Sequence, residues 1–479
     1  MPNFTGYSDL VGTFIDAWAD QLVEPFKNIA PVLADAKFSS KEMVGGVYHV
    51  ATRLTYEGGQ TFGAPQTQPG TSGTAFVGPR AGHTPDAQLQ GMQIIGRSQL
   101  TYEVLARTTA EGVNGTETDK KKAVRSASKI AMEGLLQGTL KKLESQMLHG
   151  REGLGQLDTT PATLSNVVAT TYEGVAGFHC DIAISASTWS EALWLMLEGH
   201  TLDLFADTAG LPSGAKLNTA VNTALSGTNQ NGFIITAINP TTPLTNAVAT
   251  GRVIRLFHSS GTAGVTGTGV LGGWTTPATP SVATQHLMYE SASPTVEFVG
   301  LGLMAQNSGT LFNINAANYS MWRGNVFTNV GNLRLSTLIR YLARPINAGG
   351  QGLRYRAVVP TELFAQFAND ESTLRRYAAV TGKAENGFDT IEMYAPGGST
   401  LEILGHNLQK DGRVIAYVPD EIMRVGSQDL DFVNRSARRR EDFVLEVANQ
   451  PASEVRLFGQ FAPICATPRH MLSLTGVTF

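Results

Sequence analysis

The chain has 479 residues, a net charge of −4 and 16% charged residues, against about a quarter in an average soluble domain. These values exclude a global basic field that would attract nucleic acid, and the two cysteines, Cys180 and Cys465, are too few for a disulfide framework. The first residues show no signal-peptide pattern, and no stretch of about 18 apolar residues occurs. We therefore expect a soluble chain that is made inside the cell and has no membrane anchor.

Small residues take the place of the missing charges. The sequence contains 51 glycines beside abundant threonine, alanine, serine and asparagine. This mixture favours strands, turns and broad uncharged surfaces, which extensive contacts between subunits need. It is also typical of a β-rich adhesin or of a solenoid, so composition alone leaves these classes open.

The first 35 residues predict an amphipathic helix that ends near Pro25, with a loop after Pro31. The apolar face of this helix needs a cover, which either its own domain or a neighbouring subunit can provide. The apolar positions at helical spacing are Val11, Phe14, Ile15, Trp18 and Leu22.

A two-stranded ribbon is predicted between residues 45 and 109. Residues 45–57 alternate as a strand, and residues 88–109 alternate as a longer one. The segment 58–85 between them is too rich in Gly, Pro and Thr for a helix and too long for a tight turn. Because an isolated two-stranded ribbon is barely stable in water, we expect support from another chain.

The longest helix is predicted over residues 117–149, where Thr118 or Asp119 can cap the start and no proline interrupts. About 30 residues at 1.5 Å each span roughly 45 Å. The helix is either part of an ordinary core or a strut that carries extended pieces. Two rows are expected to be buried: Val124, Ala127, Ala131, Gly134 and Gly138 in one, and Leu136, Leu140, Leu143 and Met147 in the other.

After this helix, a strand is predicted over residues 178–185 and a buried helix over 188–198. The composition then shifts, and residues 211–318 become rich in Thr, Gly, Ala, Asn and Pro. Short apolar runs separated by turn residues predict a compact all-β insertion there. The runs lie at 232–238, 252–257 and 294–301.

From residue 332 onward the pattern becomes mixed α/β. A helix is predicted at 333–342 and another from Thr361, and the final extended segment to Phe479 is expected to return to a sheet formed earlier. Strands are predicted at 353–359, 390–393, 400–404, 412–418, 442–447 and 454–461, with a turn at Pro396.

Motifs of catalysis and cofactor binding are missing. Gly267, Gly269 and Gly272 spell GxGxxG, but no helix is predicted after them, and neither GxxxxGK[ST], HExxH, GxSxG nor CxxC occurs. The nine histidines show no metal-ligand spacing, and the acidic pairs 420–421 and 441–442 are typical of solvated turns. We predict no enzyme activity, no catalytic residue, no cofactor and no metal.

One basic cluster, at Arg435 and 438–440, precedes the acidic pair at 441–442. A solvated loop or a salt bridge between subunits is the simplest interpretation. Contact with DNA is the alternative, although no aromatic residues interleave with the arginines.

The order of these elements, with residues 88–148 and 333–420 matching best, resembles the major capsid proteins of tailed double-stranded DNA bacteriophages, whose fold encapsulin-type shells share. The resemblance implies an α+β fold in which the helix 117–149 is the spine. The implied parts are an N-terminal arm (1–57), an extended loop (58–110), a peripheral domain (111–205), a β-rich insertion (206–320), an axial domain (321–440) and closing strands of the peripheral domain (441–479).

The resemblance further implies a subunit that assembles through hexamers and pentamers into an icosahedral capsid around double-stranded DNA. The expected partners are scaffolding and portal proteins, a cement protein, and packaged DNA bound without sequence specificity. The expected location is the virion, after assembly in the host cytoplasm and without a membrane. The residues expected to contact neighbouring subunits are Phe14, Ile15, Trp18, Phe62, Phe76, Arg438, Arg439 and Arg440.

Two alternatives remain at this point, an encapsulin-like nanocompartment and a β-rich carbohydrate-binding surface protein. The insertion at 211–318 is larger than nanocompartment shells usually carry, and the surface protein would need export. Some relatives join a ribbon lysine to a neighbour's asparagine by an isopeptide bond. Residues 58–109 contain no lysine, so we expect noncovalent contacts or a cement protein instead.

Some relatives also remove an N-terminal scaffolding segment of about a hundred residues. No charged coiled-coil pattern precedes the ribbon here, so we expect a separate scaffolding protein and no such cleavage. N-terminal sequencing of mature particles tests this expectation, and a start far inside the chain would contradict it.

Overall fold

A computed structural model describes most of the chain and shows a mixed α+β fold with many strands and few helices, so the predicted fold class is confirmed. The predicted N-terminal helix, the Gly-rich segment of the ribbon and the basic cluster at 435–440 fall almost entirely outside the described residues. These residues are 30–58, 60, 78, 81–101, 134–158, 166–208, 211–225, 231–242, 244, 251–265, 270–274, 285–289, 296–374, 390–433, 444–446 and 452–479.

The described helices are short except around the long predicted one and in the C-terminal body. Pro31 begins a helix, so the loop predicted after it is wrong; proline suits a first helical turn because its φ is fixed and its missing N–H is not needed there. The helices are Pro31–Asp35, 134–149, Glu191–Met196, Leu301–Ala305, Leu335–Asn347 and Thr361–Leu374. Single 3-10 turns are Ala186–Thr188, Ser320–Trp322, Pro396–Gly398, Pro419–Glu421 and Pro468–His470.

A five-stranded sheet joins the ribbon strand to the C-terminal part of the chain. Its longest strand, Ala452–Cys465, pairs antiparallel with Met92–Thr101 on one side and with Ile422–Phe432 on the other. Two short strands complete the sheet: Lys37–Ser40, parallel to Ile422–Phe432, and Val444–Glu446, antiparallel to Ala452–Cys465.

The strand predicted over 88–109 is interrupted near Gly91. Its first part, Asp86–Leu89, forms a two-stranded ribbon with Tyr48–Ala51, whereas Met92–Thr101 belongs to the five-stranded sheet. Met92–Thr101 is therefore supported within its own chain, and support of the ribbon by another chain stays a prediction. The closing strand Ala452–Cys465 of the same chain offers its backbone N–H and C=O groups over the full length of that strand.

A nine-stranded antiparallel sheet occupies the middle of the chain. The runs at 232–238 and 252–257 are strands, as predicted. The run at 294–301 is wrong in its described part, where residues 296–300 form no strand and Leu301 begins a helix; short apolar runs fit either class. The strands are Gly155–Gln156, Asn166–Tyr172, Val175–Ala183, Thr201–Thr208, Leu211–Lys216, Phe233–Ile238, Val253–His258, Gly264–Val265 and Gln285–Tyr289. Three of them precede residue 206, so the sheet crosses the boundary where the predicted insertion begins.

The C-terminal body is a six-stranded sheet that contains the strands predicted at 353–359, 390–393, 400–404 and 412–418, whereas those predicted at 442–447 and 454–461 lie in the five-stranded sheet. The order of the six-stranded sheet is Asn325–Phe327, Leu472–Thr475, Arg413–Tyr417, Arg354–Val359, Thr400–Gly405 and Thr390–Tyr394. The final segment returns to this sheet as predicted, because Leu472–Thr475 lies between two earlier strands. The remaining two-stranded pairs are Gly261–Thr262 with Val270–Leu271, Thr310–Leu311 with Ile314–Asn315, and Gly331–Asn332 with Val477–Thr478.

The helix 134–149 buries its larger apolar row, as predicted. Each of its four members is at most 2% exposed: Leu136, Leu140, Leu143 and Met147. They share one core with residues of the five-stranded and nine-stranded sheets. The prediction is wrong for the small row where it is described, because Gly134 and Gly138 are exposed. Residues two apart on a helix point in nearly opposite directions, so both rows could not face one core. No described helix is long and apolar enough to cross a membrane.

Substitution of Leu140 tests how much the buried row of this helix contributes to the free energy of unfolding, and substitution of the exposed Gly138 is the control. Leu140→Ala should lower the free energy of unfolding by about 2–5 kcal/mol, because the side chain is fully buried. Gly138→Ala should raise it by up to about 1 kcal/mol, since no atom lies within 4 Å of the added methyl group. Urea unfolding followed by circular dichroism measures both, and equal stabilities of Leu140→Ala and the wild type would contradict the assignment.

Candidate functional site

Buried and half-buried ionisable side chains converge where the C-terminal half of the helix 134–149 meets the six-stranded sheet. They come from the Pro31–Asp35 helix, the long helix and the turn that follows it, three strands of the sheet and the loop 406–412. We call this group the ionic junction. Its members are Asp35, Glu144, His149, Glu152, Arg356, Glu402, His406, Lys410, Arg413 and Tyr417.

Glu144 is the centre of the ionic junction. It is fully buried, and its Oε1 accepts hydrogen bonds from the Val32 N–H at 2.8 Å and the His406 Nε2–H at 2.9 Å. Its Oε2 accepts from the Leu33 N–H at 2.8 Å. The Pro31–Asp35 helix has no side-chain cap of its own, and five residues are too few for a stable isolated helix. A carboxylate from a distant helix therefore caps it and fixes its position.

His406 uses both of its ring nitrogens in this contact. Its Nδ1 accepts a hydrogen bond from the Leu408 N–H at 3.1 Å, so its Nε2 carries the proton that points at Glu144. The ring thus links the long helix to the loop that follows the Thr400–Gly405 strand.

Arg356 links the first helix to the sheet from a second direction. One of its terminal nitrogens donates to Asp35, and the other donates to both carboxylate oxygens of Glu402 at 2.9 and 3.0 Å. The Tyr417 hydroxyl donates to Asp35 at 2.9 Å. Burial raises the pKa of Asp35, whereas Arg356 and the Tyr417 hydroxyl oppose that rise.

Arg413 and Lys410 hold the C-terminal end of the long helix. Arg413 pairs with Glu152, with one contact at 2.9 Å, and its guanidinium also lies 3.4 Å from the Ser473 hydroxyl. Lys410 donates to the Gly153 carbonyl at 2.7 Å. Burial lowers the pKa of Lys410 to about 8, although Glu152 acts in the opposite direction.

His149 lies between these cations. It is 2% exposed, and its Nε2 is 3.1 Å from the Leu408 carbonyl oxygen. Burial lowers its pKa well below 6.5, and the positive charges of Lys410 and Arg413 lower it further. The ring is therefore neutral at pH 7 in the folded protein.

The arrangement is suited to holding segments in place. A buried ion pair contributes little net stability, but loss of one partner costs about 3–5 kcal/mol because a buried charge remains. The ionic junction therefore specifies one relative position of the first helix, the long helix and the sheet. Among the described residues, no group of three or more His, Cys, Asp or Glu side chains could hold a metal ion.

The residues predicted to contact neighbouring subunits lie outside the described residues, so those contacts remain predictions. They are Phe14, Ile15, Trp18, Phe62, Phe76, Arg438, Arg439 and Arg440. The two residues of the acidic pair at 420–421 have different surroundings. Asp420 is exposed near Lys37, whereas the Glu421 carboxylate is hydrogen-bonded to the His470 ring at 2.7 Å. Both cysteines are buried and form no disulfide.

Sequence reasoning missed the ionic junction. A signal was present, because Arg356, Glu402 and Arg413 stand inside otherwise apolar predicted strands. A charge at a position that should be buried on both faces predicts a buried partner. The identity of that partner could not be predicted, since Asp35 and Glu152 are hundreds of residues away along the chain.

No protein-family model and no curated protein matches the chain. Solved structures do resemble it. A chain of the cyanophage A-1(L) capsid asymmetric unit matches with 9% identity and a TM-score of 0.41, over 94% of this chain and 93% of that one. A chain from Mycobacterium phage Adephagia matches with 9% identity and a TM-score of 0.36, over 94% and 90%. A Synechococcus elongatus encapsulin matches 34% of this chain and 58% of its own, with 11% identity and a TM-score of 0.23.

His149 makes stability depend on pH. Its pKa is lower in the folded than in the unfolded chain, so the unfolded chain binds more protons as pH falls below 6.5, and stability is lost. Between pH 7 and pH 5 this loss should reach about 2 kcal/mol, and His149→Gln should abolish that part of it. Urea unfolding at both pH values measures the difference.

The exposed His200→Gln variant is the control and should keep the wild-type pH dependence. The comparison between variants is needed because burial, assisted by Glu362, raises the pKa of Asp411 to about 7, which changes stability in the opposite direction. Identical pH profiles of His149→Gln and the wild type would contradict the assignment.

Proposed function

We propose that the protein is a structural subunit that assembles into an icosahedral shell around double-stranded DNA. The observation that supports this best is the continuous path from the Met92–Thr101 strand through the helix 134–149 into the ionic junction. Along this path one helix is fixed to the five-stranded sheet on one side and to the six-stranded sheet on the other. A shell subunit needs such a rigid connection, because the positions of its contacts set the curvature of the shell.

Each part has a role in this proposal. The five-stranded sheet and the long helix form the peripheral domain, and the six-stranded sheet with its two helices forms the axial domain. The strand Leu472–Thr475 belongs to the axial domain, because it pairs there with Arg413–Tyr417. The insertion contributes most strands of the nine-stranded sheet, which also contains three strands from residues 155–183.

Assembly rests on repeated contacts of modest strength. Closed symmetry multiplies each contact over many copies, so a stable container does not need a tight pairwise interface. The low charge and small residues of this chain suit broad contact surfaces. The N-terminal segment with Phe14, Ile15 and Trp18 and the ribbon with Phe62 and Phe76 are the proposed bridges.

The proposed role is structural and not enzymatic. The proposed partners beyond other copies are scaffolding and portal proteins, a cement protein and packaged DNA. The proposed location is the virion, with assembly in the host cytoplasm.

Electron microscopy and sedimentation of the purified full-length protein test the proposal. We expect closed icosahedral particles from the wild type. A Phe62→Ala/Phe76→Ala variant should keep its thermal unfolding transition but remain unassembled, because the proposed bridge loses its apolar contacts. Val168→Ala, at a position that is 41% exposed on the nine-stranded sheet, should assemble normally.

The alternatives predict different results. Particles that enclose proteins and exclude DNA would indicate a nanocompartment. A persistent monomer that binds glycans would contradict the shell and support a carbohydrate-binding surface protein.

A further inference from the structure

Four arginines lie together at one edge of the six-stranded sheet. Arg323 follows the Ser320–Trp322 turn, Arg340 and Arg344 lie on the Leu335–Asn347 helix, and Arg469 lies in the Pro468–His470 turn. The Pro468–His470 turn contacts both of the other elements. We call this group the arginine face.

The four side chains are electrostatic neighbours. Burial lowers the pKa of Arg469, and the charges of Arg344 and then Arg323 lower it further. Arg340 is one helical turn from Arg344, so their Cβ atoms are about 6 Å apart. The first three of these arginines in chain order are exposed, and Arg469 is half-buried.

No carboxylate of the described residues is paired with this positive charge. Within the described residues, none of the four arginines makes a salt bridge, and the Leu335–Asn347 helix contains no Asp or Glu. Elsewhere in the fold, two half-buried or buried arginines are paired with acids, Arg255 with Asp181 and Arg413 with Glu152. In a chain of net charge −4, an unbalanced group of four cations requires a separate explanation.

The arginine face is ordered before any partner binds. The Arg344 guanidinium lies 5.4 Å from the centroid of the Phe327 ring, which contacts the Tyr341 ring at 4.6 Å. The backbone of Arg469 is held by the Asn325 side chain, whose amide donates to the Arg469 carbonyl at 2.6 Å. Side chains that are already fixed lose less conformational entropy on binding.

We propose that the arginine face binds the phosphate backbone of double-stranded DNA without sequence preference. This inference rests on the proposed function, which puts a polyphosphate next to every subunit. Guanidinium groups form paired hydrogen bonds with phosphate oxygens, and binding releases the counterions condensed on the duplex. An acidic protein segment offers carboxylates instead and is the competing partner that the experiment must separate.

Fluorescence anisotropy with a labelled duplex of about 30 base pairs and arbitrary sequence tests the proposal on unassembled full-length protein. Affinity should fall as salt rises from about 50 to 200 mM. Arg340→Gln/Arg344→Gln should bind roughly tenfold more weakly and lower the slope of log K against log salt by about 2, one per lost phosphate contact. Arg340→Lys/Arg344→Lys should retain most of the slope, because the charges remain.

Arg53→Gln is the matched control. Arg53 is also an exposed arginine over an aromatic ring, 4.9 Å from the Tyr56 centroid, but it lies on the ribbon. This variant should bind the duplex as the wild type does. Thermal unfolding of every variant confirms that the fold is retained.

Three results would overturn the proposal: no duplex binding by the wild type at about 50 mM salt, equal binding by the wild type and Arg340→Gln/Arg344→Gln, or binding of labelled polyglutamate in place of the duplex. Particle formation is scored separately by electron microscopy. Particles from Arg340→Gln/Arg344→Gln with weakened duplex binding support the arginine face. Failure of the wild type to form particles contradicts the shell, and the duplex affinities still decide the arginine face.

Discussion

The carboxylate of Glu144 is the constraint on which the rest of the structure depends. It is fully buried and accepts hydrogen bonds from two backbone N–H groups of the first described helix and from His406. A buried carboxylate without partners is too costly to tolerate, so these groups must meet at one point. The residues involved are 111 to 262 positions apart along the chain. The Glu144 side chain therefore fixes the Pro31–Asp35 helix, the long helix and the six-stranded sheet relative to one another.

The C-terminal residues complete the fold in a second way. The strand Ala452–Cys465 pairs with Met92–Thr101 and Ile422–Phe432, and Leu472–Thr475 enters the six-stranded sheet. The core around the long helix and the core of the six-stranded sheet thus both contain residues from strands among the last thirty residues. Pairings of such high sequence separation carry a large loop-closure entropy, so the final structure can form only after the whole chain is available.

Charge has two different roles in this protein. In the ionic junction, Arg356 and Arg413 are paired with carboxylates, and their role is to specify a position. On the arginine face, Arg340 and Arg344 have no acidic partner within the described chain, and their charge is available to a ligand. Because the overall charge content is low, these two groups of arginines stand apart from the few other charged residues of the chain. The proposed shell subunit with its proposed DNA contact would use both arrangements, one to hold its shape and one to bind a polyanion.

The sequence by itself determined the elements whose signal is local. The apolar row from Leu136 to Met147, four strands of the six-stranded sheet and the α+β class follow from periodicity and turn residues, and the structure agrees with them. Only the tertiary structure decided the break before Met92, the capped helix at Pro31 and the ionic junction. Each of these depends on a partner far away in the sequence, and a hydrogen bond or ion pair across hundreds of residues leaves no periodic pattern in the chain.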